Sequence, residues 1–150
     1  MSIVTIYLMQ LEHIKSEEIT VVDGDTLRIN KERIRLWGID APELHQMCLQ
    51  LDRDWPCGKE AREALVKIIR DNQVQCTTLH KDRYGRTVAR CETATLDLGS
   101  EMVRHGWALD YDRYSHGKYA SEQSEAKRKK RGIWSSQFEY PWEWRRKKHH

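Results

Sequence analysis

Ile19-Thr20-Val21-Val22-Asp23-Gly24-Asp25-Thr26-Leu27-Arg28-Ile29, followed by Glu32-Arg33-Ile34-Arg35-Leu36-Trp37, is the stretch on which the fold turns. Ile19, Val21, Val22, Leu27 and Ile29 favour strand, and Asp23-Gly24 between them is a hairpin signal. In the second segment Ile34 and Leu36 share one face of a period-two strand, and Arg33 and Arg35 share the other. A loop carrying Asp40-Ala41-Pro42-Glu43 follows, and Pro42 restricts its backbone. Asp23, Asp25, Arg35, Asp40 and Glu43 thus fall close together at strand ends.

Further along, Ala61, Ala64, Leu65, Ile68 and Ile69 have helical spacing and predict a helix over Gly58–Arg70. Val74–His80 and Thr87–Thr93 read as strands joined by the turn Lys81-Asp82-Arg83-Tyr84-Gly85-Arg86. Asp97–His105 reads as a short helix with Asp97 as N-cap and Gly106 at C′. Tyr119–Arg131 reads as a highly charged helix stopped by Gly132. Strands with a helix inserted before the fourth predict an α+β chain: a small closed five-stranded β-barrel of the OB type with three α-helices. No second domain or repeat is visible. We expect residues 1–17 to be an extension or residual leader, 18–136 the domain, and 137–150 a tail. Phe138-Glu139-Tyr140-Pro141-Trp142-Glu143-Trp144 is too aromatic for a free linker and is expected to pack back. Arg145-Arg146-Lys147-Lys148-His149-His150 is expected to be disordered.

The composition, 39% hydrophobic and 33% charged, is that of a globular chain, and no apolar run is long enough for a membrane span. Ile3–Met9 lacks a basic n-region and a small-residue cleavage site, and reads as a strand or a leftover leader. Residues 1–115 carry 16 basic and 19 acidic side chains, residues 116–150 carry 10 and 4. The acids therefore lie with the clustered strand ends and the positive field lies behind them. That suits an anionic polymer reaching an acidic centre, and equally a solvated basic helix and tail. Cys48, Cys57, Cys76 and Cys91 lack zinc spacing. Pairing 48 with 57 and 76 with 91 is the simplest local connectivity, and would imply an oxidising compartment; buried thiols are the alternative.

Asp25 and Asp40, helped by Asp23 and the Ala41 carbonyl, are hard oxygen donors that suit Ca²⁺ or Mg²⁺ and not zinc. Asp23-Gly24-Asp25 alone is also what an ordinary turn uses. Glu43 is a candidate for activating water, and Arg35 and Arg86 for gripping a phosphate through bidentate hydrogen bonds, although each arginine could equally serve a surface ion pair. Together they form a constellation suited to phosphoryl transfer.

Asp23-Gly24-Asp25-Thr26, then Arg35-Leu36-Trp37-Gly38-Ile39-Asp40-Ala41-Pro42-Glu43, then Asp82-Arg83-Tyr84-Gly85-Arg86 resemble the three signatures of the staphylococcal nuclease (thermonuclease) family. Glu125-Ala126-Lys127 through Gly132-Ile133-Trp134 resembles the end of that family's last helix. The resemblance, from about Glu18 to Trp134, implies an OB-fold barrel and a Ca²⁺-dependent nuclease. Such an enzyme cuts DNA and RNA at the 5′ P–O bond, leaves 3′-phosphate ends and needs one Ca²⁺. It implies Asp25, Asp40 and the Ala41 carbonyl as metal ligands, Asp23 in the outer shell, and Arg35, Glu43 and Arg86 as catalytic residues. Arg83 and Tyr84 would contact a terminal phosphate and nucleotide. Tyr111, with Tyr114 as second candidate, would stack on a base, unless both simply pack; the preferred substrates would then be single or frayed strands, met by a monomer. The two cysteine pairs resemble those of exported bacterial relatives, which points to the periplasm or the exterior. The competing class is a catalytically weak or inactive OB-fold nucleic-acid-binding module; it predicts losses among Asp25, Arg35, Asp40, Glu43 and Arg86, and all five are present.

Overall fold

The computed structural model describes residues 18–70 and 72–148. The expected extension or leader at 1–17, and His149 and His150, lie outside the described residues.

Strands β1 (Ile19–Asp23), β2 (Thr26–Ile29) and β3 (Glu32–Leu36) form an antiparallel meander. Ile29 pairs with Glu32 across Asn30 and Lys31, both with positive φ (49° and 72°), the backbone a tight two-residue hairpin requires. Asp23 pairs with Thr26, so the first turn is centred on Gly24-Asp25, one residue later than the Asp23-Gly24 signal suggested. After the short strand β4 (Ile39–Asp40) comes a hairpin of β5 (Cys48–Gln50) and β6 (Arg53–Trp55). Its turn is made by Leu51 and Asp52, which both take positive φ without being glycine.

Helix α1 (Cys57–Ile69) buries Ala61 and Leu65 on its apolar stripe. Strands β7 (Gln75–Lys81) and β8 (Thr87–Glu92) follow, with Cys76 directly opposite Cys91. β8 pairs in parallel with β3, which gives one five-stranded sheet in the order β1-β2-β3-β8-β7. The fold class is the α+β OB type, but among the described residues no ladder joins the edge strands β1 and β7, so the barrel is not closed.

Helix α2 (Leu98–Arg104) starts at Asp97, whose carboxylate accepts from the Ser100 N–H at 3.1 Å. It ends at Gly106 (φ 77°), where the Gly106 and Trp107 N–H groups bond to Val103 and Met102 carbonyls in a Schellman arrangement. Strand β9 (Leu109–Asp110) pairs with β4, and a single turn, α3 (Asp112–Ser115), follows it. Helix α4 (Ala120–Arg128) ends earlier than the sequence suggests, because Lys130 (φ 53°) turns the chain before Gly132 does. Helix α5 (Pro141–Lys148) closes the described chain, so Arg145–Lys148 are helical where the sequence predicts disorder. Pro141 at the first helical position is the start signal that accounts for it.

The main core joins Val21, Leu27, Ile34 and Leu36 of the sheet to Leu65 of α1 and Leu98, Met102 and Val103 of α2. A second core surrounds Cys48 and Cys57 with Leu109, Ile133, Trp55, Trp134, Phe138 and Trp142, so the aromatic tail packs back as expected. Both cysteine pairs are disulfides, Cys48–Cys57 and Cys76–Cys91. Among the described residues no helix is long and apolar enough to cross a membrane.

Cys76 and Cys91 are separated by 15 positions, for which the loop-closure entropy removed from the unfolded chain corresponds to about 3 kcal/mol. We expect Cys76→Ala/Cys91→Ala to lose on that order of stability in urea titrations. An unchanged midpoint and slope would show that strand pairing makes the crosslink redundant.

Candidate active site

The site begins at the β1–β2 turn. Asp25 is 5% exposed, and its carboxylate accepts from the Ala41 N–H (2.8 Å) and the Thr26 hydroxyl (3.0 Å). A Cβ on Gly24 would stand 2.7 Å from the Ala41 Cβ and 3.0 Å from that of Ala61. Glycine therefore lets the turn lie flat against both the Ala41 loop and α1. Arg35 leaves β3 opposite the apolar face and reaches Asp25 at 3.3 Å and Asp40 at 3.5 Å. Its Nη1 also donates to the Leu36 carbonyl.

Asp40, fully buried, is held by the β4–β9 pairing, in which it faces Leu109. The Tyr111 N–H donates to the Gly38 carbonyl at 2.8 Å, so the same short ladder brings Tyr111 beside the acids. Glu43 caps a tight turn closed by Gln46, whose backbone N–H donates to the Glu43 carbonyl and whose side chain accepts from the Glu43 N–H. Gly58 is what lets α1 approach: a Cβ there would fall 1.7 Å from the Glu43 carbonyl oxygen. The Cys48–Cys57 disulfide ties this loop to the start of α1.

The sequence reading missed Arg145. From α5 its guanidinium donates to both oxygens of Asp40 (2.8 and 2.9 Å) and to Glu43 Oε1 (2.8 Å). One turn earlier Trp142 stacks on Tyr111, with centroids 5.3 Å apart and planes within 9°. Trp142 and Arg145 are three apart, which puts them on one helical face; that spacing after Pro141 is the signal that could have found them.

The other predicted residues sit on the β7–β8 turn. Arg86 donates from Nε to Asp82 at 2.8 Å, and Asp82 also accepts from the Arg86 and Tyr84 N–H groups. Burial works against the Asp82 carboxylate, but these hydrogen bonds hold its pKa below the ordinary value. Arg83 lies over the Tyr84 ring at 5.1 Å, and Tyr84 is 66% exposed. Thr87 stands opposite Ile34, so Arg86 enters the strand next to the one bearing Arg35 while being held by Asp82. Tyr114 meets the Tyr111 ring edge-on and is exposed. The structure thus gathers Asp23, Asp25, Arg35, Asp40, Ala41 and Glu43, ties Tyr111 to Gly38 through the backbone with Tyr114 against its ring, and sets Arg83, Tyr84 and Arg86 on a separate turn.

The electrostatics are those of crowded carboxylates. Burial and the neighbouring Asp25 charge push Asp23 up to about 8. Burial also raises Asp40, to about 6, despite the hydrogen bonds from Arg145. Asp25 is buried too, but Arg35 and its hydrogen bonds hold it below its ordinary value. Among the described residues no three His, Cys, Asp or Glu side chains are arranged to hold a metal ion. The donors nonetheless suit a hard cation: Asp25, Asp40 and Ala41 offer only oxygen and are buried.

The family model described as staphylococcal nuclease homologue matches residues 33–136, most of the chain. The chain belongs to the staphylococcal nuclease family. A Shigella flexneri protein named micrococcal nuclease is 31% identical over 149 residues, covering 88% of this chain and 80% of its own length. The Rhizobium meliloti succinoglycan biosynthesis protein ExoI is 40% identical over 124 residues, covering 81% of this chain and 65% of its own length. A rice protein named probable staphylococcal-like nuclease CAN1 is 35% identical over 127 residues, but only 36% of its own length is matched. This chain of the staphylococcal nuclease family therefore spans about two thirds of the Rhizobium protein and little more than a third of the rice one.

Asp23 gives a stability test. Its folded pKa of about 8 lies above the ordinary 3.8, so the folded state binds this proton more tightly than the unfolded chain. The stability it contributes is present at low pH and is lost as pH rises from about 4 to about 8. Asp23→Asn keeps an oxygen to accept from the Asp25 N–H and removes the charge. Melted in chelator, the variant should match the wild type near pH 4 and exceed it at pH 8. A difference that does not grow with pH would contradict this electrostatic account.

Proposed function

We propose that this protein is a Ca²⁺-dependent nuclease that hydrolyses phosphodiester bonds of DNA and RNA with little sequence specificity, cutting at the 5′ P–O bond to leave 3′-phosphates. The observation that carries the proposal is the gathering of Asp25, Arg35 and Asp40 within ion-pair distance, with Glu43 linked to Asp40 through one guanidinium. In this reading Asp25, Asp40 and the Ala41 carbonyl hold Ca²⁺, and Asp23 sits in its outer shell. The ion supplies positive charge where the phosphate gains negative charge. Glu43 accepts the proton of the attacking water at a carboxylate oxygen. Arg35 grips a non-bridging phosphate oxygen, and Arg86 does the same after exchanging Asp82 for phosphate. Arg83 and Tyr84 take a terminal phosphate and nucleotide.

Tyr111 and Tyr114 supply an aromatic surface for an unpaired base, which favours single or frayed strands and is blind to sequence. The basic side chains of α4 and α5 steer the polyanion toward the acids. We take the working form to be a monomer. Its two disulfides support a periplasmic or extracellular setting. The occupation of Asp40 by Arg145 favours a second reading, a binding module with weak or no catalysis.

Digestion of denatured and duplex DNA in Ca²⁺, in Mg²⁺ and in chelator tests the two. We expect cleavage of denatured DNA in millimolar Ca²⁺ and none in chelator. Glu43→Gln and Arg86→Ala should each lower kcat on the order of 10²–10³-fold while circular dichroism stays native. Intact DNA after incubation with folded wild-type protein in Ca²⁺ would leave only the binding reading.

A further inference from the structure

The C-terminal helix α5 brings a cation into a site whose family signatures end before it. Arg145 is placed from more than a hundred positions downstream of Glu43, and it touches both carboxylates that differ in assigned role. Two of its hydrogen bonds reach Asp40, a metal ligand in the proposed function, and one reaches Glu43, the proposed proton acceptor. A planar guanidinium is a rigid fork, and when it bonds two carboxylates it sets the distance and angle between them.

The attachment of α5 decides between a fixed wall and a removable strap. Gln46, 1% exposed, accepts from the Glu43 N–H and donates to the Glu139 carbonyl at 2.8 Å, so one side chain ties the Glu43 turn to the approach of α5. Leu49 and Gln137 exchange two backbone hydrogen bonds (2.8 and 2.7 Å). Phe138 and Trp142 pack on the core that contains the Cys48–Cys57 disulfide. Trp142 is further held between Tyr111 and Tyr140, whose ring is stacked on it at 4.8 Å. Lifting α5 would break the hydrogen bonds and the stack together. The Glu43 turn and the tail are built as one unit.

We propose that Arg145 is a positioning residue for the reaction: it fixes the Glu43 carboxylate against Asp40, and α5 is a permanent wall of the active site. This rests on Glu43 having the role given under the proposed function. Arg145 does not itself contact the reacting atoms. Its removal leaves Glu43 free to rotate, and a shift of about 1 Å at a reacting group can cost on the order of 10²-fold in rate.

The test is a kinetic comparison of wild type, Arg145→Gln, Arg145→Lys, Glu43→Gln and the Glu43→Gln/Arg145→Gln double variant on denatured DNA. Ca²⁺ binding to each is measured by calorimetry without substrate. Lys67→Gln, at an exposed position of α1, serves as control and should behave as wild type. We expect Arg145→Gln to lower kcat on the order of 10²-fold with KM changed by about threefold or less, while Ca²⁺ binds more tightly because a cation has left Asp40. Arg145→Lys should recover part of the loss, since it keeps the charge without the fork. In the Glu43→Gln background the same change should cost little more, because it acts only through Glu43. A full-sized further loss in that background, or wild-type kcat in Arg145→Gln, overturns the positioning role. Tighter Ca²⁺ binding with higher activity in Arg145→Gln overturns it too, and identifies α5 as an inhibitory strap. A Glu43→Gln enzyme with wild-type kcat would instead refute the underlying assignment of Glu43, which separates the two failures.

Discussion

Arg35 standing between Asp25 and Asp40 is the interaction on which the organisation of this protein rests. Both carboxylates are buried, and isolated buried carboxylates would take up protons or draw in water. A single guanidinium from β3 lets the β1–β2 turn and strand β4 converge. Removing one partner of such a buried group typically costs about 3–5 kcal/mol, because the remaining charges are left uncompensated. Burial still outweighs the guanidinium in part of the cluster. Asp40 stays above its ordinary pKa even with a second guanidinium on it, and Asp23 is further still from its ordinary value. Burial thus weighs against charge on Asp23 and Asp40, while Arg35 and its hydrogen bonds keep the charge on Asp25.

Holding that charge demands backbone approaches that side chains would block. Gly24 lets the Asp25 turn touch the Ala41 loop and α1, and Gly58 lets α1 rest on the Glu43 carbonyl. The Cys48–Cys57 bridge lies just beyond the Glu43 turn and anchors a second core, over which the aromatic tail closes. The catalytic candidates on β7–β8 are built differently. Arg86 is poised by Asp82 at the end of an exposed turn, and Tyr84 is largely in solvent. One half of the site is preorganised in the interior, where charge interactions are strong; the other presents its groups where a polymer can reach them.

Much of this was legible in the sequence because it is local. The meander, α1, the N-cap Asp97 and the C′ residue Gly106 follow from periodicity and capping, and the acid cluster from adjacency along the chain. The errors fall where backbone conformation departed from residue preference. Leu51-Asp52 and Lys130 adopt positive φ that glycine or asparagine would have announced, so the β5–β6 hairpin has no turn signal and α4 stops short of Arg131. The largest omission, Arg145, has another cause. A run of basic residues at the end of a chain reads as solvated, and nothing local says that its partners are Asp40 and Glu43. Only packing of Trp142 on Tyr111 brings it there.

The packing that places Arg145 also orders the aromatic residues. Tyr114, Tyr111, Trp142, Tyr140, Phe138 and Trp134 form one continuous row of ring contacts from the α3 turn to the disulfide core. In the row, Tyr111 stacks on Trp142 and meets Tyr114 at 65° between ring planes. Tyr111 is therefore one ring of an assembled row, not a lone tyrosine free to turn, which bears on the proposed stacking of an unpaired base. A wall of rings offers stacking to every base and hydrogen-bonded discrimination to none. The same row carries Trp142, and one helical turn on, Arg145. Trp142, which backs Tyr111, and the cation that holds Asp40 and Glu43 thus come from a single helix, and the placement of one fixes the placement of the other.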